Sequence, residues 1–264
     1  MKIGFIGLGN MATAMIGGII QKGIFKPEEI IGSNRSEEGL QKAKTRFQIV
    51  TATTNVEIAK QAEIVVLSVK PQFYEAVISE IKGVVNANQI IISIAPGKTL
   101  QWLLNLFEKE MKIVRCMPNT PALVGEGCTG VCCNQFVNKS EIQEVLTILS
   151  GFGRASLVEE HMMDAVVGVS GSAPAYVFMF IEAMADEAVA AGMPRKQAYE
   201  FAAQTVLGSA KMVLETGRHP AELKDMVCSP GGTTIQAVRV LEERGFRSAV
   251  IEAMDACIEK SRSM

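Results

Sequence analysis

The chain has 264 residues, of which 48% are apolar and 20% charged, with a net charge of −2. This length exceeds the usual single domain and suggests a first domain followed by a second of about 100 residues. The near-neutral balance argues against a polyanion-binding surface, so nucleic acid is not an expected partner.

The first apolar run, Ile3 to Gly7, is too short for a signal peptide and meets a glycine turn at once. The six cysteines, Cys116, Cys128, Cys132, Cys133, Cys228 and Cys257, contain no C-x-x-C pair and no zinc-like spacing. Free thiols in a reducing cytosol, with no structural metal, are the expectation.

The first strand is predicted at Lys2–Ile6 and runs into Gly7-Leu8-Gly9-Asn10-Met11-Ala12, which opens a helix over Met11–Lys22. This is G-x-G-x-x-A between a strand and a helix, the arrangement that holds a dinucleotide. One glycine makes the tight turn, the next lets the backbone approach a pyrophosphate, and alanine lets the helix pack closely. Free N–H groups at the helix start then face the phosphates.

A second strand, Glu29–Ser33, ends in Ser33-Asn34-Arg35-Ser36, where an NAD enzyme usually carries an acidic residue for the ribose hydroxyls. Arg35 can pair with a 2′-phosphate, and Asn34 and Ser36 can donate hydrogen bonds to it. NADP(H) is favoured, with NAD(H) left open. A helix over Glu37–Arg46 and a weaker strand at Gln48–Thr51 follow. Asn55 opens the next helix, either as its N-cap or as a cofactor contact.

Strands at Ile64–Ser68, Gln89–Ile94 and Lys112–Arg115 lead into Val69-Lys70-Pro71-Gln72, Ile94-Ala95-Pro96-Gly97 and Met117-Pro118-Asn119-Thr120-Pro121. Ligands of open α/β sheets sit at such carboxyl ends, so Val69, Lys70, Pro71, Gln72, Ala95, Pro118 and Asn119 are candidate cofactor contacts, with Asn119 and Thr120 nearest the nicotinamide. The bland reading is that each proline only ends a strand. Helices over Gln72–Lys82, Leu100–Glu108 and Lys139–Gly151, with weaker strands at Thr129–Cys133 and Ala155–Val158, complete a Rossmann-type α/β domain whose sheet is mainly parallel.

Past Glu160 the strand signal stops, and the domain boundary is placed there: 1–160 binds NADP, 161–264 is all-α. Helices are expected over His161–Val167, Ser172–Ala191, Arg195–Glu215, Ala221–Val227, Gly232–Arg244 and Arg247–Lys260. The most apolar of them approaches the length of a membrane span, but Glu182, Asp186 and Glu187 in its second half argue for a core or subunit interface. Helices apolar on several sides favour a symmetric oligomer over a monomeric bundle.

Cys228-Ser229-Pro230-Gly231-Gly232-Thr233-Thr234 interrupts this helical run. Ser229 reads as a cap, and Gly231 and Gly232 permit backbone N–H groups to converge on a carboxylate at the next helix start. An ordinary turn would need one glycine. Gly171-Ser172-Ala173-Pro174-Ala175-Tyr176 is a second polar irregularity. Neither histidine reads as a base: His219 precedes a proline in a turn, and His161 sits near a helix start.

The motifs "GFIGLGNMATAM", "SVKPQ", "RCMPNTPA", "VSGSAPAYVF" and "HPAELKDMVCSPGGTTIQAVRVLE" together resemble the pyrroline-5-carboxylate reductase family over essentially the whole chain. Departures are Ala173, where the family usually has glycine, and Pro96, where it usually has alanine. The resemblance implies reduction of 1-pyrroline-5-carboxylate to proline, a helical dimerisation domain of 161–264 that also binds substrate, and dimers joining into a ring of five. It implies that Ser229, Gly232 and Thr233 hold the pyrroline carboxylate and that the Thr234 hydroxyl touches the ring nitrogen. Glu160 and Ser172 carry over as further ligand contacts. The rivals are a β-hydroxyacid dehydrogenase with Lys211 as acid and base, and a nonenzymatic NADP(H)-binding sensor.

Overall fold

The computed structural model describes residues 1–263. The chain divides into two compact units, Met1–Ser172 joined by the turns from Cys257 onward, and Ala173–Ala256. The strand signal ends at Glu160, yet the helical stretch from there to Ser172 packs with the sheet unit.

The first unit alternates strands and helices in chain order: β1 (Ile3–Ile6), α1 (Asn10–Gln21), β2 (Ile30–Ser33), α2 (Glu37–Phe47), β3 (Val50–Ala52), α3 (Asn55–Gln61), β4 (Ile64–Leu67), α4 (Tyr74–Ile81), β5 (Ile90–Ser93), α5 (Leu100–Phe107), β6 (Lys112–Met117), β7 (Gly127–Cys133), α6 (Lys139–Leu149), β8 (Gly153–Leu157) and α7 (Met163–Val166). The strands form one sheet in the order β3-β2-β1-β4-β5-β6-β7-β8. Every neighbouring pair is parallel except β6 with β7. β1 pairs with both β2 and β4, so the strand order reverses beside it, and the crevice outside its carboxyl end is the topological switch point.

The continuous β-branched runs are explained by burial on both faces. One face is covered through Met15, Ile16 and Ile19 of α1 and Val145 and Ile148 of α6; the other through Ile58 of α3, Ile78 and Ile81 of α4 and Leu103 of α5. Each such side chain contributes about 1.5–3 kcal/mol of apolar burial. Helix starts are fixed locally: Ser36, Thr54, Thr99 and Asn138 each accept a backbone N–H from the first turn of α2, α3, α5 and α6.

After α7 the backbone widens into a π-turn, Val167–Gly171, in place of the simple helix end expected there. The Ser172 N–H reaches back to the Val167 carbonyl at 2.8 Å, and the Asn119 Nδ2 donates to the Ser170 carbonyl at 3.0 Å. Such turns insert one residue into a helix and commonly mark functional positions.

The second unit is helical: α8 (Ala173–Ala190), α9 (Arg195–Thr216), α10 (Pro220–Val227), α11 (Thr233–Glu243) and the first part of α12 (Phe246–Arg262). α8 buries only Ala185, and α9 only Ala198 and Ala202. Phe178, Met179, Phe201 and Leu207 are exposed. The helical run Glu160–Ala190 is, among the described residues, the one long and apolar enough to cross a membrane, but Glu182, Asp186 and Glu187 lie in its second half.

Candidate functional site

The glycine loop sits at the switch point. Gly7 adopts φ +98°, and a side chain there would press within 2.8 Å of Val69 Cγ1 and 3.0 Å of the Ser68 carbonyl. Ser68 fastens this approach, its hydroxyl donating to the Gly7 carbonyl at 2.7 Å. Gly9 is the N-cap of α1 and offers no side-chain cap, which leaves the first N–H groups of Asn10, Met11 and Ala12 for an external acceptor. A Cβ on Gly9 would meet nothing within 4 Å. That open cradle before an uncapped helix start fits a dinucleotide pyrophosphate. Gly9→Ala is therefore expected to leave the fold within about 1 kcal/mol, the scale of a changed N-cap. It should weaken NADPH binding by about 1–3 kcal/mol through crowding at the phosphates. A thermal melt and a fluorescence titration measure the two, and unaltered affinity would remove the loop from the cofactor site.

At the end of β2 no carboxylate appears. Asn34 turns inward instead: its Oδ1 accepts the Leu8 N–H at 3.3 Å and its Nδ2 donates to Ser36 Oγ at 3.0 Å. Ser36 caps α2 by accepting the Gly39 N–H at 3.2 Å. Its oxygen thus accepts two bonds, leaving its O–H to donate. Arg35 lies exposed beside Phe73, with the guanidinium carbon 5.6 Å from the ring centroid.

Asn55 is not an N-cap. Thr54 takes that place, and Asn55 in the first turn of α3 accepts from Ser33 Oγ at 2.8 Å and donates to Glu80 at 2.7 Å. Two adjacent residues could both cap, and the chain direction out of β3 selects the first. The three proline loops do follow β4, β5 and β6, on the edge shared with the glycine loop. Lys70, Pro71 and Gln72 enter a short 3-10 turn, and Ala95 is buried. Tyr74, which sequence reasoning passed over, clamps these loops. It is fully buried, donates to the Leu67 carbonyl at 2.5 Å, and accepts from Ser93 Oγ and the Ile94 N–H at 3.3 Å each. Burial pushes its phenol up to about 12, so it remains a neutral pin.

Asn119 is buried with both ends of its amide engaged, its Oδ1 by the Cys128 N–H at 2.8 Å and its Nδ2 by the Ser170 carbonyl. Its side chain therefore joins β7 to the π-turn. Glu160, read as a ligand contact, accepts on Oε1 from the Leu100 N–H at 2.7 Å and from Arg115 at 3.2 Å. Arg115 is only 5% exposed on β6 and was also missed. The signal was present: a cation inside the apolar run Lys112–Met117 must have a partner. Ser172 accepts a weak bond from the Cys257 thiol at 3.2 Å. The six cysteines are unpaired, and burial lifts Cys132 to about 12 and Cys133 to about 11, keeping both as thiols.

The helical unit has its own uncapped helix start, at α11. Gly231 takes φ +71°, a conformation that side chains disfavour, and Gly232 becomes the N-cap of α11 without a side-chain bond. Ser229 is thus not the cap: its carbonyl accepts the Gly232 N–H at 3.0 Å, closing the turn that leads into the helix. The N–H groups of Thr233, Thr234 and Ile235 open an 11-residue helix, with two hydroxyls beside them. His219 caps α10 through Nδ1, which accepts the Ala221 N–H at 3.2 Å. Lys211 is exposed and pairs with Glu215 at 3.5 Å. Among the described residues, no group of three His, Cys, Asp or Glu side chains is placed to hold a metal.

Residues 160–264 match the family described as pyrroline-5-carboxylate reductase dimerisation, and residues 2–97 match the one described as NADP oxidoreductase coenzyme F420-dependent. The pyrroline-5-carboxylate reductase of Escherichia coli (strain K12) is 54% identical over 263 residues, covering 100% of this chain and 98% of that protein. A solved pyrroline-5-carboxylate reductase from Coxiella burnetii superposes with a TM-score of 0.93 at 36% identity, covering 99% of this chain and 97% of the other. The Plasmodium falciparum enzyme, solved with NADP bound, gives 0.90 at 34% identity over 100% and 97%. Identity of 54% over an alignment that spans both the sheet unit and the helical unit makes this chain a member of the pyrroline-5-carboxylate reductase family.

Proposed function

We propose that the protein reduces the C=N bond of 1-pyrroline-5-carboxylate to L-proline, with NADPH preferred and NADH accepted, in the cytoplasm. The observation that carries the reading is the start of α11, where two glycines expose N–H groups beside Ser229, Thr233 and Thr234. There the Ser229 hydroxyl and the Thr233 N–H hold the substrate carboxylate, with Gly231 shaping the bend and Gly232, whose own N–H is engaged by the Ser229 carbonyl, opening the helix start. The Thr234 hydroxyl donates to the ring nitrogen and relays a proton from water. The reduced nicotinamide supplies the hydride when bound. A protonated cyclic imine is already electrophilic, so positioning does most of the catalysis and no strong general acid is required.

Gly7 to Ala12 hold the pyrophosphate, Arg35 and the Ser36 hydroxyl the 2′-phosphate, and the loops of Val69 to Gln72, Ala95 and Pro118 the rest of the cofactor. For Asn34, Asn55 and Asn119 the side chains are engaged within the protein, and they act by shaping these loops. Glu160 and Ser172 complete the ligand surroundings, Glu160 by fixing the start of α5 and Arg115 of β6, Ser172 through its bond to Cys257 of α12. Residues 1–160 serve as the NADP-binding domain and 161–264 as the substrate-binding and dimerisation domain. Two copies pair through the helical unit, which provides cover for its exposed apolar side chains, and five such pairs close into a decamer.

Incubation with NADPH and either pyrroline-5-carboxylate or a β-keto acid, followed by nicotinamide absorbance, tests the activity. Oxidation with the imine and not the keto acid is expected, and Lys211→Ala should leave the rate unchanged. Turnover of the keto acid, lost in Lys211→Ala, would instead establish the dehydrogenase reading. Binding of NADPH without turnover of the imine would indicate a sensor.

A further inference from the structure

We propose that Phe73 determines cofactor specificity by positioning Arg35 for the 2′-phosphate. The inference rests on the reading that the bound dinucleotide carries that phosphate. Of the three residues after β2 that could grip it, Asn34 is turned inward to Leu8 and Ser36. Gly39 makes room for it there, since a Cβ would come within 2.0 Å of Asn34 Nδ2. Ser36 retains one donor. Charge recognition therefore falls to Arg35, a long side chain with no salt bridge among those formed by the described residues and much rotamer freedom to lose.

Phe73 restrains it. The guanidinium carbon lies over the ring, 5.6 Å from its centroid, within reach of the ring quadrupole, and its N–H groups can still donate to phosphate oxygens. The ring is 41% exposed, yet its backbone is held firmly: its N–H donates to the Lys70 carbonyl at 2.9 Å, and the next residue is the buried Tyr74. An exposed aromatic side chain fixed at its base, beside a cation that would otherwise roam, is a platform. It stands on the loop after β4, across the glycine loop from the one after β2.

The test is equilibrium calorimetry on the full chain with adenosine 2′,5′-bisphosphate and with 5′-AMP, which differ only in the recognised group. Arg35→Ala should weaken the bisphosphate strongly and leave AMP unaltered. Phe73→Leu should weaken the bisphosphate by about two- to five-fold, the range of an exposed cation–π contact, again sparing AMP. Phe73→Tyr, which keeps the ring, should restore wild-type affinity, and Phe73→Leu in the Arg35→Ala background should add nothing. If Phe73→Leu weakens both ligands alike, or neither, while Arg35→Ala discriminates, the platform role is wrong and the 2′-phosphate reading stands. If Arg35→Ala itself fails to discriminate, both fall.

Discussion

Thr234→Ala is expected to lower the turnover number by on the order of 10²-fold, the scale of one well-placed proton donor, while NADPH affinity stays unaltered. Thr234 lies in the first turn of α11, and the methyl that replaces its hydroxyl leaves the N–H groups of that turn in place. The carboxylate grip should therefore survive, and KM for the imine should rise only a few-fold. Thr234→Ser, which keeps the hydroxyl, should recover most of the rate. Steady-state kinetics with both substrates separate these outcomes. Equal turnover in Thr234→Ala would remove the residue from the mechanism and leave positioning alone to account for the chemistry.

The second large effect is on stability. Arg115→Ala should cost about 3 kcal/mol, the lower end of the range for breaking a buried pair, because Glu160 remains 35% exposed and can be partly solvated. Glu160→Ala should cost more. It strands a cation that is 6% exposed and also removes the acceptor of the Leu100 N–H at the start of α5. Replacing both by apolar residues, as in Arg115→Met with Glu160→Leu, should recover much of the loss but not the part due to Leu100. Urea unfolding of the four proteins measures this. Equal stability in all of them would mean that the pair is solvated and structurally idle.

Much of the fold is legible in the chain. The central strands β1, β2, β4, β5 and β6 are short apolar runs rich in isoleucine and valine, a pattern that follows from burial on both faces. The opposite direction of β7 is not legible, because alternation along a strand is the same in either sense. The glycine loop is local and reads directly. Asn119, Glu160 and Arg115 do not, since their partners lie between 9 and 60 residues away and only the folded sheet brings them together. At the paired-glycine bend the residue types predict a turn into a helix start, while the identity of the cap turns on Gly231 adopting a positive φ, which places it at Gly232 rather than Ser229.

The last turns of α12 return to the sheet unit, where the buried Ser261 hydroxyl donates to Asp164 at 2.6 Å. The nucleotide half is consequently discontinuous in sequence. During synthesis it must wait for residues 173–256 to be made, on the order of ten seconds at ordinary elongation rates, before its final piece can dock. A ribosome-bound nascent chain stalled before Cys257 should accordingly be more open to protease around Asp164 and Ser172 than the released protein.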